Sequence, residues 1–375
     1  MKIFLAATSL LPSYGGPAVS VTRLATALGD AGAQVGLWSA DNSEAAESLL
    51  PDVSSVQRLR GTEPEALNSF GIPDVLHDNG IWLPHNHRLA VLARKHSIPR
   101  VVSLRGMLEP WALRHKWLKK KIAWMAYQRR DLEQACCHLT SSEPEARNLE
   151  KIGLGVPVIT VPNGVDLPAD QLARHASPEP RNGTRTALFL GRIAPVKGLP
   201  MLIEAWRRVR PQGWVLRIAG PDEDDYQREV EKAVSSTDLE QFVSFLGPIP
   251  PEDKHVLFRD ADLFVLPTHS ESFGVAVAEA LAHGLPVLTT TGAPWSILPG
   301  QGCGWWVDAS VDGLVHGLQQ ATDLDCRTLQ AMGARGRAMV VERFSWERIA
   351  GDVLTAYRSI LATTSSAAGV NALAS

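Results

Sequence analysis

Cysteine is scarce in this chain, with four in 375 residues. Cys136 and Cys137 are adjacent and cannot close an unstrained bridge with each other, while Cys303 and Cys326 have no ligand-type spacing to one another or to that pair. A disulfide-built scaffold and a cysteine zinc site are thereby excluded, and a reducing, cytoplasmic compartment is expected. Long apolar runs are also missing. No stretch approaches the roughly eighteen apolar residues of a membrane span, and the apolar residues from Ile3 to Ala7 are too few for a signal peptide, so neither a spanning nor an exported protein is expected. Charge of one sign is not in excess. The net charge of -3 and pI near 6.4 exclude a global attraction to nucleic acid, so a basic function has to come from a local patch. No internal repeat is present.

The hydrophobic fraction of 45% is that of a soluble globular protein, and 375 residues exceed one ordinary core, predicting two or three domains. Ile3 to Ala7 reads as a strand, Leu10 to Pro17 as a loop with Gly15 and Gly16, Ala18 to Ala31 as a helix ended by Gly32, and Gln34 to Ser39 as a second strand. This is how nucleotide-binding sheets open, without the dinucleotide G-x-G-x-x-G fingerprint. The glycine pair reads either as a tight turn or as a place where backbone approaches a ligand.

Asp74 to His77 and Ile98 to Leu104 read as further strands, separated by a loop, Asp78 to His87, that holds Trp82, His85 and His87. No carboxylate or thiol pattern completes a metal site there, so a substrate-lining loop is expected. Cys136 to Ser141 and Val156 to Val161 close this half. After a stretch at 171–184 with two prolines and a glycine, expected to be a linker, the pattern restarts: strand Thr186 to Leu190, loop Gly191 to Gly198, helix Leu199 to Arg208, strand Trp214 to Ala219. Two α/β domains in series are predicted, 1–170 and 185–344, followed by an amphipathic helix at 345–362 and a small-residue tail at 363–375 expected to be disordered.

Between Glu109 and Asp131 there is no carboxylate, while Trp111, Trp117, Trp124 and Tyr127 are interleaved with Arg114, Lys116, Lys119, Lys120, Lys121, Arg129 and Arg130. One basic, tryptophan-rich helix is expected here. It fits either an ordinary amphipathic helix with core tryptophans or one lying on an anionic membrane through Lys119, Lys120 and Lys121.

The stretch Asp262 to Pro286 reads as a buried strand, a polar turn and a helix, and carries Glu271 and Glu279 seven residues apart beyond the strand. In a parallel sheet that turn lies at the carboxyl end of the strand, where ligands bind, with the backbone N–H groups of Ser272, Phe273 and Gly274 at the helix start. Carboxylates repel a phosphate but accept well from sugar or ribose hydroxyls. Arg192 and Lys197, in the loop after another strand of the same sheet, supply the cations a diphosphate needs.

With Gly191, Arg192, Lys197 and Gly198 in one loop and Glu271 and Glu279 in another, the sequence resembles the retaining GT-B glycosyltransferases of family 4, whose pattern is G-R-x4-K-G followed by E-x7-E. The resemblance extends over nearly the whole chain, from the Gly15-Gly16 loop through Pro162-Asn163-Gly164, Ala219-Gly220-Pro221 and Leu246-Gly247 to Phe344-Ser345-Trp346. It implies two Rossmann-like domains facing each other across a cleft, donor held by the second, acceptor by the first, and the final helix crossing back to the first.

Carried over to matching positions, the resemblance makes Arg192 and Lys197 neutralise the donor diphosphate, Glu279 accept from the ribose, and Glu271 hold the transferred sugar. Ser272, Phe273 and Gly274 would give backbone donors, and Gly191 and Gly16 would admit the phosphates. Many relatives place a histidine after the strand that here ends at Leu104; this chain has Arg105-Gly106, leaving His77 and Arg105 as acceptor-side candidates. The implied reaction moves a hexose-type sugar from a UDP- or GDP-linked donor to a glycan or lipid-linked acceptor, without a metal or other cofactor. A GT-B epimerase or phosphorylase, or a non-catalytic scaffold, are the competing readings; the four charged donor-site residues argue against each.

Overall fold

The computed structural model describes residues 1–11, 14–44, 55–114, 116–169 and 183–372. Most of the expected linker at 171–184 therefore lies outside the described residues. Two compact units are present: Met1–Gly164 together with Trp346–Ser375, and Val165–Ser345. The division falls at Gly164, ahead of the boundary expected at 170.

The first unit contains β1 (Lys2–Ala7), α1 (Gly16–Asp30), β2 (Gln34–Ser39), β3 (Val56–Leu59), α2 (Glu63–Phe70), β4 (Val75–Asn79), α3 (Pro84–Lys95), β5 (Arg100–Ser103), α4 (Pro110–Arg114), α5 (Trp117–Ala123), α6 (Arg129–Glu133), β6 (Cys137–Thr140), α7 (Glu143–Glu150) and β7 (Val158–Thr160). Its strands pair in parallel in the order β3-β2-β1-β4-β5-β6-β7. A parallel sheet with helices on both faces buries every side chain of a central strand, which is why β1 is an apolar run rather than an alternation. Ile3 and Leu5 point into one core with Leu24 and Leu28 of α1, and Phe4 and Ala6 into another with Leu67 and Phe70 of α2.

The second unit contains β8 (Arg185–Leu190), α8 (Leu199–Val209), β9 (Trp214–Ala219), α9 (Gln227–Ser235), β10 (Val243–Gly247), α10 (Lys254–Asp260), β11 (Leu263–Leu266), α11 (Val275–Ala282), β12 (Val287–Thr290), α12 (Ile297–Gly300), β13 (Gly304–Val307), α13 (Val311–Thr322) and α14 (Cys326–Phe344). Its sheet, also parallel, runs β10-β9-β8-β11-β12-β13. In each sheet the strand order reverses once, beside β1 and β4 in the first and beside β8 and β11 in the second; such a switch point opens a crevice at the carboxyl ends of the strands.

The last helix, α15 (Trp346–Ala372), returns to the first unit and packs on α1, placing Ile349, Val353 and Tyr357 in its core. It continues past the expected end at 362 into the stretch read as a disordered tail, where alanines, the strongest helix formers, are frequent.

Two expectations for the first unit are corrected. The loop expected from Asp78 to His87 ends at Leu83, because Pro84 suits the first turn of α3 and the Asn86 side chain accepts from the Leu83 N–H at 3.1 Å; His85 and His87 are helical. The single basic helix is instead three short helices, interrupted by Lys116 at φ 52° and by a π-helical turn at Trp124–Gln128.

Candidate active site

Arg192 and Lys197 lie in the loop leaving β8, and Glu271 in the loop leaving β11, so the switch point of the second sheet brings them together. The two loops are bonded to each other through backbone. The His269 N–H donates to the Val196 carbonyl at 2.8 Å, and the Thr268 hydroxyl donates to the same carbonyl at 3.0 Å. Gly198 allows this closeness: its φ is +66°, and a Cβ there would stand 2.1 Å from the Pro267 carbonyl oxygen. Gly220 does the same one strand over, where a Cβ would meet the Gly191 carbonyl at 1.9 Å.

On this frame Lys197 Nζ forms an ion pair with Glu271, each side chain 15% exposed. Arg192 pairs with Glu223 at 2.8 Å, both well exposed. Glu279, on α11, accepts from Lys254 Nζ of α10 at 3.0 Å. A half-buried cation touching a carboxylate, with a second cation on the same loop as the first and a second carboxylate on the helix that follows Glu271, offers groups for phosphate and hydroxyl recognition beyond the ends of β8 and β11. Glu223 and Lys254 are the residues that sequence reasoning missed. Glu223 has a faint signal, following Gly220-Pro221-Asp222 in the loop after β9; Lys254 has none, since only the packing of α10 brings it to Glu279.

At the head of α11 the N-cap Gly274 has φ +82° and supplies no side-chain cap bond to the first turn. Ser272 is half-buried. Phe273 is a core residue through its ring, which packs on Trp295 at 5.3 Å and Phe344 at 5.6 Å, and its carbonyl accepts from Trp295 Nε1 at 2.6 Å. This anchoring fixes the turn that carries Glu271.

In the first unit, Gly16 is exposed at the first position of α1, with open space where a Cβ would be. His77 is corrected as an acceptor-side candidate. It is 1% exposed, with Nδ1 2.6 Å from the Tyr357 hydroxyl and Nε2 2.7 Å from Ser103 Oγ. Burial, aided by the Arg105 charge, pushes its pKa down to about 3, so the ring is neutral and joins α15 to the sheet. Arg105, half-buried at φ 54°, donates to Asn79 at 2.7 Å, Asn163 at 2.6 Å and Ser20 at 3.2 Å, and its pKa is lowered to about 10 by burial. The three histidines do not converge: His85 Nε2 stands 3.4 Å from the Thr8 hydroxyl and His87 Nδ1 2.6 Å from Asp131. Among the described residues no group of three or more His, Cys, Asp or Glu is placed to hold a metal ion.

Lys120 is corrected as a membrane-contact candidate. It turns inward, its ammonium 5.8 Å from the centre of the Trp82 ring and donating to the Ala112 carbonyl, whereas Lys119 and Lys121 are exposed.

Two parallel sheets of this kind, the second carrying cations and carboxylates at its switch point, are those of a GT-B fold. Residues 170–339 match the family described as Glycosyl transferases group 1, and residues 14–168 match Glycosyltransferase Family 4. The chain belongs to this family. It is 32% identical over 222 residues to a D-inositol 3-phosphate glycosyltransferase of Nocardia farcinica, a match spanning 54% of this chain and about half (47%) of that relative. It is 26% identical over 309 residues, 80% of this chain and 78% of the relative, to a GDP-mannose:cellobiosyl-diphosphopolyprenol alpha-mannosyltransferase of Xanthomonas campestris. Among solved structures, a sucrose-phosphate synthase of Thermosynechococcus elongatus superimposes with a TM-score of 0.80 at 20% identity, covering 96% of this chain and 99% of that one. Anabaena HepE in complex with UDP-glucose does so with a TM-score of 0.72 at 19% identity, covering 98% and 100%. At these identities the solved structures attest the fold.

Proposed function

We propose that this glycosyltransferase moves a hexose-type sugar from a UDP- or GDP-linked donor to a glycan acceptor, lipid-linked, in the assembly of a surface polysaccharide or glycoconjugate, with retention at the transferred carbon. The observation that carries the reading is the contact of Lys197 with Glu271. A sugar diphosphate places hydroxyls and phosphate oxygens on either side of one C–O bond, and a carboxylate for the first must then adjoin a cation for the second.

In the reaction the bond between the anomeric carbon and the diphosphate breaks, the sugar takes on oxocarbenium character, and negative charge grows on the departing phosphate. Lys197 and Arg192 stabilise that charge, the largest expected contribution, with one well-placed donor contributing about 3 kcal/mol. Glu271 orients the sugar hydroxyls and Glu279 the ribose. The backbone N–H groups of Ser272, Phe273 and Gly274 add positive potential at the head of α11, and Gly191 leaves room for the phosphates. The exposed Arg192–Glu223 pair is worth roughly 0–1 kcal/mol, so a diphosphate displaces Glu223 at little cost. The donor classes are supported by the relatives, one named for GDP-mannose and a neighbouring fold solved with UDP-glucose; the diphosphopolyprenol in the first name supports a lipid-linked acceptor.

The test is a thermal-shift panel of nucleotide sugars followed by transfer assays with the donor that stabilises most. Stabilisation by none of them, or stabilisation without release of nucleoside diphosphate, would remove the proposal. With cations supplied by the protein, transfer is expected to persist in excess EDTA; loss restored by magnesium or manganese would show that a metal carries the leaving-group charge instead.

A further inference from the structure

Helices α10 and α11 follow the loops that leave the carboxyl ends of β10 and β11, and they touch at two levels one helical turn apart. At the first level Lys254, which opens α10, places Nζ 3.0 Å from Glu279 Oε1. Four residues further along each chain segment, the buried ring of Phe258 stacks on His283 with 4.7 Å between ring centres. Residues four apart lie on one face of a helix, so the lower contact sets the register of the upper one. His283 Nδ1 donates to the Glu279 carbonyl at 2.7 Å, and Phe258 packs on Phe264 of β11 at 6.0 Å, which ties the double contact to the sheet. The ion pair is held in place but not sealed: the Lys254 and Glu279 side chains are 35% and 21% exposed.

Hydrogen-bonding capacity is left over on both partners. An ammonium donates through each of its N–H bonds, and a carboxylate accepts at both oxygens. The Lys254 side chain bonds to Glu279 Oε1 alone, and Oε2 has no partner among the described residues. Free donors and a free acceptor thus stand side by side, the complement of two adjacent hydroxyls, since each hydroxyl both donates and accepts. We infer that Lys254 and Glu279 together form the subsite that reads the vicinal diol of the donor's ribose, with Lys254 setting the preference for ribonucleotide over 2′-deoxyribonucleotide. The inference rests on the donor reading above, which gives the ribose to Glu279 and assigns Lys254 no part. Lys254 acts in two ways. It holds the carboxylate in one orientation, and its charge offsets that of Glu279, so that a carboxylate serves the diol without repelling the diphosphate of the same ligand. A site built to hydrogen-bond a hydroxyl discriminates against an analogue that lacks it, because its polar groups are then left unpaired.

The test is isothermal titration calorimetry of the full chain with UDP, GDP and their 2′-deoxy counterparts, which needs neither acceptor nor turnover. The wild type is expected to bind UDP or GDP at least about tenfold more tightly than the matching 2′-deoxynucleotide. Lys254→Met should weaken both nucleotides, the ribonucleotide more, and cut the preference to less than about threefold. Its melting temperature should stay close to that of the wild type, because a partly exposed ion pair adds little to stability. Glu279→Gln should reduce the preference as well, and Lys254→Arg, which keeps the charge and the donors, should retain most of it. An unchanged preference in Lys254→Met, equal weakening of both nucleotides by that variant, or a wild type that binds ribonucleotide and 2′-deoxynucleotide alike would each overturn the inference. Binding of neither UDP nor GDP by the wild type would instead overturn the donor reading, and this inference with it.

Discussion

Lys197 and Glu271 form an ion pair across a sequence separation of 74 positions, each side chain largely withdrawn from water. The pair exists because two loops leave neighbouring parallel strands on the same side of the sheet, and Gly198 lets them approach to backbone contact. It divides the consequences of mutating the site into effects on chemistry and effects on stability.

Lys197→Ala and Arg192→Ala should each lower turnover by roughly two to three orders of magnitude, since each removes a cation from the departing diphosphate. Their effects on stability should differ. Loss of Lys197 strands a mostly buried carboxylate, at a cost of roughly 1–3 kcal/mol, whereas Arg192 is exposed and its loss should change stability by only about 0.5 kcal/mol. Steady-state kinetics with saturating donor and thermal melts of both variants check this; near-normal turnover in both would take the donor diphosphate away from this loop.

Glu279→Ala should act mainly through the donor KM and Glu271→Ala mainly through kcat, because a ribose contact is the same before and during bond breaking while a contact to the reacting sugar need not be. Glu271 and Lys197 touch, so the double variant Lys197→Ala/Glu271→Ala should lose less than the two single losses combined. Additive losses, or the same KM-only effect from both glutamates, would contradict these roles.

The buried His77 makes stability depend on pH. Its folded pKa, near 3, lies below the value of about 6.5 expected for the unfolded chain. The unfolded state therefore binds a proton that the folded state refuses. The contribution is fully present above about pH 6.5 and is lost progressively as pH falls toward 3, amounting to about 2 kcal/mol near pH 5. Melting temperatures measured from pH 7.5 to about 4.5 should fall less steeply for His77→Gln than for the wild type; parallel curves would place the acid sensitivity elsewhere, His138, lowered to about 4 by burial, being next in line.

Much of the α/β architecture was legible because a parallel strand buried on both faces must be an apolar run, and the helical patterns of α1 and α11 stop ahead of Gly32 and Gly284; β2 and β9 match their expected bounds, Gln34–Ser39 and Trp214–Ala219. Short or less apolar elements were not legible. The strands β3 and β13 and the helices α13 and α14 carry no assignment from sequence, β3 because an exposed edge strand reading Val-Gln-Arg-Leu has too little pattern to distinguish it.

Most of the residues proposed for the donor site could be named from sequence because they sit in the loops after β8 and β11, and loop position follows from local pattern; Glu279, inside α11, is the exception. Their partners could not. Glu223 meets Arg192, Lys254 meets Glu279, and His77 meets Tyr357, 280 positions later, only because strand order and helix packing bring distant segments together. The direction of the basic segment belongs to the same class. Composition determined that tryptophans and lysines alternate there; the break at Lys116, the π-helical turn and the bonds to Trp82 decided that Lys120 faces in while Leu118, Ile122 and Met125 face out. Local sequence determines which elements form and where their ends lie, since helix and strand signals act over a few residues; which charges neutralise one another and which apolar groups stay in water is set by contacts that exist only once the chain has folded.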